Sequence, residues 1–332
     1  MMEHFDYKAF VVKEESDGTY SRAIETKNTA ELPEGEVLVQ VKYAALNYKD
    51  ALSANGHKGI SRYYPHTPGV DAAGIVMEST SSEFSKGDEV IVTSYDLGMN
   101  TSGAFQEYIS VPAAWPVHKP KGLTLEESMI IGTGGFTAAL SLYKMEQNGQ
   151  DPEMGPILVT GSTGGVGSMA VALLSLNGYE VIASTGKKSE HGYLTQLGAS
   201  KIIDREAVND QSGRPLLRSQ WAGAIDTVGD NTLATCIKAC GRNGSVALCG
   251  LVASPELHST VYPFILNGVN LLGIETAETP RAVRIKLWNL LADSWKPRHL
   301  EQIKRIIQLE ELENEIQAML EGNSKGRVVV AF

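Results

Sequence analysis

A glycine-dense turn, Gly161-Ser162-Thr163-Gly164-Gly165-Val166-Gly167, lies in the middle of the chain between an apolar run at 157–160 and a helix-like stretch at 168–177. Strand, glycine turn and helix in that order are the context a dinucleotide-binding fingerprint requires. Residues without side chains let backbone N–H groups approach a pyrophosphate at the helix N-terminus, where unpaired donors and the helix dipole favour an anion. Gly161, Ser162, Thr163, Gly164, Gly165, Val166 and Gly167 are therefore expected to bind the diphosphate of a dinucleotide. The competing reading is a tight strand-to-helix turn with no ligand.

The turn also divides two rhythms. Up to about residue 120 the chain is cut into short alternating runs, as in "EVLVQVKY", where Val37, Val39, Val41 and Tyr43 recur at every second position like a half-buried strand. Lys86-Gly87-Asp88 reads as a turn, and Thr124 with Glu127 has capping-box spacing ahead of a helical pattern. From about residue 155, unalternated runs such as "ILVTG", "EVIAST" and "SVALCG" are separated by helical stretches, which suits parallel strands covered on both faces. A length of 332 residues fits two domains. The closing "GRVVVAF" reads as a strand returning to the first of them.

The adenosine end of the ligand is read about twenty residues past the turn, where a carboxylate would hold the 2′-hydroxyl of NAD. The chain there is Ala183-Ser184-Thr185-Gly186-Lys187-Lys188, with no carboxylate. Hydroxyls and cations suit a 2′-phosphate, and Arg205, after the next strand "KIID", reaches the same place by topology. The expected cofactor is NADPH, with Ser184, Thr185, Gly186, Lys187 and Arg205 as its binding residues. The alternative is that the lysines are solvated surface charges.

A formal charge of −10 argues against nucleic acid and anionic membranes and for a small-molecule substrate. No apolar segment approaches the ~20 residues needed to span a bilayer, so no membrane role and a cytoplasmic location are expected. Three cysteines, Cys236, Cys240 and Cys249, make neither a disulfide frame nor a four-cysteine zinc lobe. The glycine pattern also fits short-chain reductases, but no tyrosine here is followed four residues later by the lysine their chemistry needs.

"LNYKDAL", "PGVDAAGIV", "IIGTGGFTAALSL", "VTGSTGGVGS", "WAGAIDTVGD" and "PFILNGVNLLGIE" together resemble the YhdH/YhfP group of the medium-chain dehydrogenase/reductase superfamily. The resemblance covers essentially the whole chain. It implies an α/β protein with a GroES-like β-rich catalytic domain over 1–125, completed by 275–332, and a Rossmann doubly wound parallel-sheet domain over 126–274. It also implies hydride transfer to a quinone or to an acryloyl-CoA-type enoyl-CoA. Zinc-dependent superfamily members place a Cys where Asn47 opens "NYKD", and a Gly-His-Glu where this chain has Gly69-Val70-Asp71, so no metal is expected. "LNYKD" takes the place of the zinc-binding stretch, which makes Asn47, Tyr48 and Asp50 the candidate catalytic residues, with Tyr48 also touching the cofactor. Their alternative role is to cap the following helix. Leu251, Ile265 and Thr276, near the ends of parallel strands, are expected at the cofactor, and by resemblance so is Arg327. "VYPFILNG" is expected to make a homodimer contact. A non-catalytic NADPH-binding redox sensor is the rival class.

Overall fold

In the computed structural model, which describes residues 4–332, the alternation in "EVLVQVKY" becomes a strand with Val37, Val39 and Val41 buried and Leu38, Gln40 and Lys42 half-exposed between them. The first elements in chain order are β1 (Asp6–Glu14), β2 (Tyr20–Asn28), β3 (Val37–Leu46), helix α1 (Tyr48–Ala54), β4 (Asp71–Ser79), β5 (Glu89–Thr93), β6 (Tyr108–Val111) and β7 (Val117–His118). Strict alternation would bury Tyr43, but the pairing of β3 with β4 shifts register between Val41 and Tyr43. One extra residue in a strand reverses which face the rest of it presents. Tyr43 is accordingly half-exposed, and Ala44, Ala45 and Leu46 are all buried as the strand runs into α1. The turn at Lys86-Gly87-Asp88 needs Gly87, whose φ is 96°. Helix α2 (Leu125–Gln147) starts on the expected capping box, with Glu127 N–H donating to Thr124 Oγ1 at 3.0 Å and Thr124 N–H donating to the Glu127 carboxylate at 2.9 Å. It breaks at Gly132, with φ 47° and ψ −158°.

The next stretch alternates β8 (Ile157–Val159), α3 (Gly165–Leu176), β9 (Val181–Ser184), α4 (His191–Gln196), β10 (Lys201–Ile203), β11 (Gly223–Asp226), α5 (Asp230–Lys238), β12 (Ser245–Leu248), α6 (Tyr262–Asn267) and β13 (Asn270–Gly273). Its six strands form a parallel sheet in the order β10-β9-β8-β11-β12-β13. This is doubly wound connectivity, and it reverses direction between β8 and β11, the crevice where such sheets bind ligands. The core strands are continuous apolar runs, every residue of Ile157–Val159 and Val181–Ser184 being buried.

The chain then passes through α7 (Arg281–Ala292), α8 (Leu300–Ile303), β14 (Lys304–Gln308), α9 (Leu312–Leu320) and β15 (Arg327–Ala331). Strand β15 is the expected returning strand: it runs antiparallel to β3 and parallel to β14, giving a seven-stranded sheet of order β14-β15-β3-β4-β5-β7 with β6 also on β3. Two compact units result, one of residues up to Thr133 with Thr276–Ala292 and Lys304–Phe332, the other of Gly134–Glu275 with Asp293–Ile303. The expected divisions are thereby shifted. The first boundary falls within α2, one residue after its break at Gly132, rather than at 125, and the segment around α8 goes with the parallel-sheet unit. No helix among the described residues is long and apolar enough to cross a membrane.

Candidate active site

In the parallel-sheet unit, the turn after β8 is shaped by what its glycines exclude. Gly161 takes φ 55°, and a Cβ there would lie 2.3 Å from Thr227 Oγ1. A Cβ on Gly167 would meet the Gly161 carbonyl oxygen at 2.3 Å, so only glycine lets α3 start this close to the strand end. The first turn of a helix has N–H groups with no intrahelical carbonyl. Here those belong to Gly165, Val166 and Gly167, with Gly164 as N-cap. Ser162 is a correction to expectation: it is fully buried, its N–H donates to Ser184 O at 3.2 Å and its hydroxyl to Val159 O at 2.7 Å. It braces the ends of β8 and β9 together, and its polar groups turn inward. The neighbouring switch point is stitched by Thr160 Oγ1 donating to Asp226 at 2.6 Å and Thr227 Oγ1 donating to Thr160 O at 3.0 Å. Burial pushes the Asp226 carboxyl up from its ordinary range.

At the end of β9, Ser184 and Thr185 are nearly buried, and Thr185 Oγ1 accepts the Lys187 N–H at 3.0 Å. Arg205 arrives from beyond β10 and lies against Gly186: a Cβ on Gly186 would sit 2.9 Å from Arg205 Nε. The fold thus brings Gly186, Lys187 and Arg205 together from segments eighteen or more residues apart in sequence, with the Arg205 side chain 76% exposed.

The other unit holds a buried polar network. The end of β3, the start of α1, β4, the break in α2 and the start of β15 bring Asn47, Asp50, Asp71, Thr133 and Arg327 together. Asp71 Oδ2 accepts from Thr133 N–H at 2.7 Å, from Asn47 Nδ2 at 2.9 Å and from Arg327 Nη2 at 3.3 Å, while its Oδ1 accepts from the Thr133 hydroxyl. Arg327 also donates to Asn47 Oδ1 at 2.9 Å and to Ile130 O at 3.2 Å. Gly132 makes this packing possible, because a Cβ there would be 2.4 Å from Arg327 Nη2 and 2.6 Å from Asp71 Oδ2. Asp50 accepts from Asn47 N–H at 2.8 Å and from Val70 N–H at 3.0 Å. Burial, and then the nearby Asp71 charge, push the Asp50 carboxyl up to about 7. Burial pulls the Arg327 guanidinium down against the pull of both carboxylates.

This geometry revises several expectations. The amide of Asn47 donates to Asp71 and to Ala45 O, and its oxygen accepts from Arg327, so it is engaged within the network rather than offered to a ligand. Asp50 does cap α1 through the Asn47 N–H, so the capping reading holds for that residue. Tyr48 is half-buried at the first position of α1. Arg327, expected near the cofactor, is 3% exposed and committed to Asp71, Asn47 and backbone carbonyls. Leu251 and Ile265 are 58% and 69% exposed. Thr276 gives its carbonyl oxygen to Arg284 Nη2 at 2.7 Å. Asp71, Thr133, Gly132 and Ser94, whose hydroxyl is 3.1 Å from that of Thr133, were not singled out as site residues. The signal for Asp71 was present: a carboxylate inside the apolar run "GVDAAGIV" needs a buried partner.

The doubly wound unit with its glycine turn, and the antiparallel unit completed by the chain's last strand, together define a two-domain dehydrogenase or reductase. Residues 33–121 match the alcohol dehydrogenase GroES-like domain, and residues 165–293 the zinc-binding dehydrogenase domain. YhfP of Bacillus subtilis, provisionally named a quinone oxidoreductase, is 46% identical over 92% of this chain and 93% of its own, and its crystal structure with NAD bound superposes with a TM-score of 0.96 over 99% of this chain and 100% of that one. The acrylyl-CoA reductase AcuI of Ruegeria pomeroyi is 41% identical over 98% of both chains. The yhdH oxidoreductase of Salmonella enterica, solved in complex with NADP, is 40% identical with a TM-score of 0.95 over 98% of this chain and 99% of that one. The chain belongs to the medium-chain dehydrogenase/reductase superfamily, in its YhdH/YhfP group.

The zinc in that domain description does not fit the residues present. Val70 is a hydrocarbon, the Asn47 amide is engaged with Asp71 and Arg327, His66 Nε2 is 2.9 Å from Gly98 O, and His57 is exposed. No group of three or more His, Cys, Asp or Glu side chains placed to hold a metal occurs among the described residues.

Proposed function

We propose that this chain is an NADPH-dependent, zinc-independent oxidoreductase that reduces a conjugated acceptor, a quinone or an enoyl-CoA of the acryloyl type. Bound NADPH would supply the hydride. The observation that carries the cofactor reading is the end of β9, where Gly186 admits the Arg205 side chain beside Lys187, residues 183–188 carry no carboxylate, and the Glu206 carboxylate 3.8 Å from Arg205 Nε is itself paired with that cation. Gly164, Gly165, Val166 and Gly167 would hold the diphosphate at the start of α3. Relatives with NAD and with NADP both exist, so the choice rests on this chain's own cations. Lys187→Glu combined with Arg205→Glu should lower the ratio of NADPH to NADH affinity by roughly 10- to 100-fold, as expected for losing one or two charge-assisted hydrogen bonds; an unchanged ratio measured by fluorescence titration ends the assignment.

Conjugated acceptors suit a site built without a Lewis acid, because the charge that develops after hydride addition is delocalised onto an oxygen that hydrogen-bond donors can hold. Tyr48 is the side chain proposed to hold it. The Asn47, Asp71 and Arg327 network fixes the start of α1, whose first residue is Tyr48. NADPH oxidation with acryloyl-CoA or a naphthoquinone tests turnover, and binding without oxidation of any acceptor would favour the redox sensor instead. We infer a homodimer through the exposed apolar residues Val261, Tyr262, Ile265 and Leu266 beside the edge strand β13; sedimentation as a monomer at micromolar concentration would remove it.

A further inference from the structure

The parallel-sheet unit buries a carboxylate without a cation. Asp226 is the last residue of β11 and has no solvent exposure. Its Oδ1 accepts the Thr160 hydroxyl at 2.6 Å, its Oδ2 accepts the Gly229 N–H at 2.8 Å, and the Val228 N–H also donates to it. Among the described residues no lysine, arginine or histidine forms an ion pair with it. Buried charges are ordinarily paired, so this one is an exception. Burial raises the Asp226 carboxyl, and the three donors work against the rise, because hydrogen bonds to the charged form favour it. Neutral donors fill the oxygen lone pairs without cancelling the charge. That charge is felt at the end of the next strand: burial, and then Asp226, push the Cys249 thiol up to about 12.

The position of this charge in the sheet gives it a use. The glycine turn follows β8, and the cations suited to an adenosine phosphate lie at the ends of β9 and β10. A dinucleotide laid across the switch point therefore has its other half, the nicotinamide half, over the ends of β11 and β12. The segment after Asp226 forms one wall of that crevice. Thr227 and Val228 are half-exposed there and close on the glycine turn, a Cβ on Gly161 lying 2.3 Å from Thr227 Oγ1 and 3.5 Å from Val228 Cγ2. Hydride transfer takes a hydrogen and its bonding electron pair from a neutral dihydronicotinamide to the acceptor, which is reduced, and leaves an oxidised ring with one positive charge. The two forms of the cofactor thus differ by a unit charge on the side of the crevice where Asp226 is buried.

We propose that Asp226 tunes the bound cofactor: its uncompensated charge holds the oxidised, cationic nicotinamide more tightly than the reduced one, which makes the reduced form a stronger hydride donor. This rests on the nicotinamide-nucleotide reading of the glycine turn and adds to it a residue that acts through its field, without touching the ring. The acceptor plays no part in the argument, so a quinone and an enoyl thioester gain alike.

The test is calorimetric binding of NADP⁺ and of NADPH, without any acceptor, to the full native chain and to Asp226→Asn and Thr227→Val. Asp226→Asn keeps the size of the side chain and removes its charge. It should weaken NADP⁺ roughly five- to thirtyfold more than NADPH, the scale on which two unit charges a side chain or two apart interact at an effective dielectric of about 20. Thr227→Val removes the hydroxyl that ties the same segment to Thr160 O at 3.0 Å and leaves the charge in place, so it should change both affinities by the same factor. Asp226→Ser, also uncharged and smaller, serves if the asparagine amide cannot seat against the Val228 and Gly229 N–H groups and the chain fails to fold. Equal losses of NADP⁺ and NADPH in a folded Asp226 variant overturn the inference. A ratio moved as far by Thr227→Val overturns it too, since the shape of the segment and not its charge would then set the preference. If the native chain binds neither form, the nicotinamide reading itself fails; binding of both with an unmoved ratio sinks the role of Asp226 alone.

Discussion

The turn after β8 and the network around Asp71 fix polar groups in place by opposite means. The turn is made mostly of backbone: it is continuous in sequence, is braced from within by the Ser162 hydroxyl, and depends on atoms that must be absent, as the 2.3 Å approach to the Gly161 carbonyl at Gly167 shows. The network is made of side chains from five segments, and each member compensates the charge or hydrogen-bond capacity of another. A site of the first kind should fail by losing its ligand, one of the second kind by losing its fold.

The sharpest break in that comparison is Arg327→Met. Removing one partner of a buried ion pair strands the other charge, which typically costs about 3–5 kcal/mol. Here the stranded group is Asp71, itself without solvent exposure. Denaturant unfolding should show the full loss; a cost under about 1 kcal/mol would mean water reaches Asp71 and the network is not a closed unit.

Asp50 sharpens the same contrast through pH. Its carboxyl is raised to about 7 in the folded chain by burial and by Asp71, with Arg327 also in the network. A raised carboxyl binds its proton more tightly folded than unfolded, so its contribution is greatest below the unfolded value near 4 and is lost as pH rises towards 7, at about 1.4 kcal/mol per unit at most. Asp50→Asn should flatten the fall in stability over that window. A native chain whose stability rises steadily from pH 4 to 7 while the variant does the same contradicts the shift.

The difference between the two regions also governs what the sequence discloses. A backbone site is written in consecutive letters, so the turn at 161–167, the strand and helix around it, and the carboxylate-free end of β9 are all readable, and the structure adds that Ser162 faces inward. The network is written in letters up to 280 positions apart, as in the bond from Arg327 to Asn47. Asn47 and Asp50 were noticeable because they are polar residues in a short motif, but nothing local says that the Asn47 amide is saturated by Arg327 and Asp71. The break at Gly132 was equally hidden, since "IIGTGG" lies inside a helical pattern and only the approach of Arg327 and Asp71 explains the glycine. Tyr43 was misplaced for a smaller reason of the same kind: a register shift belongs to a strand pair and not to one strand.

A backbone site can be broken without touching its chemistry. Gly167→Ala puts a Cβ where the Gly161 carbonyl stands, and overpacking of this sort costs about 1–3 kcal/mol. The turn rather than the core should absorb most of it, so reduced nicotinamide nucleotide should bind at least tenfold more weakly while the unfolding midpoint falls by less than in Arg327→Met. Unchanged binding would mean that the first turn of α3 does not touch the diphosphate.

Tyr48 should give the smallest change in stability of the four. It is half-buried at the start of α1, whose cap is supplied by Asp50 accepting the Asn47 N–H, so its hydroxyl has no part in holding the helix. Tyr48→Phe keeps the ring and should shift stability by less than about 0.5 kcal/mol. If the hydroxyl holds the oxygen on which charge develops, turnover should fall roughly tenfold or more, the scale expected for losing one such donor. Full turnover with a lowered melting temperature would reverse both statements, moving Tyr48 out of the chemistry and into the support of the helix that Asp50 begins.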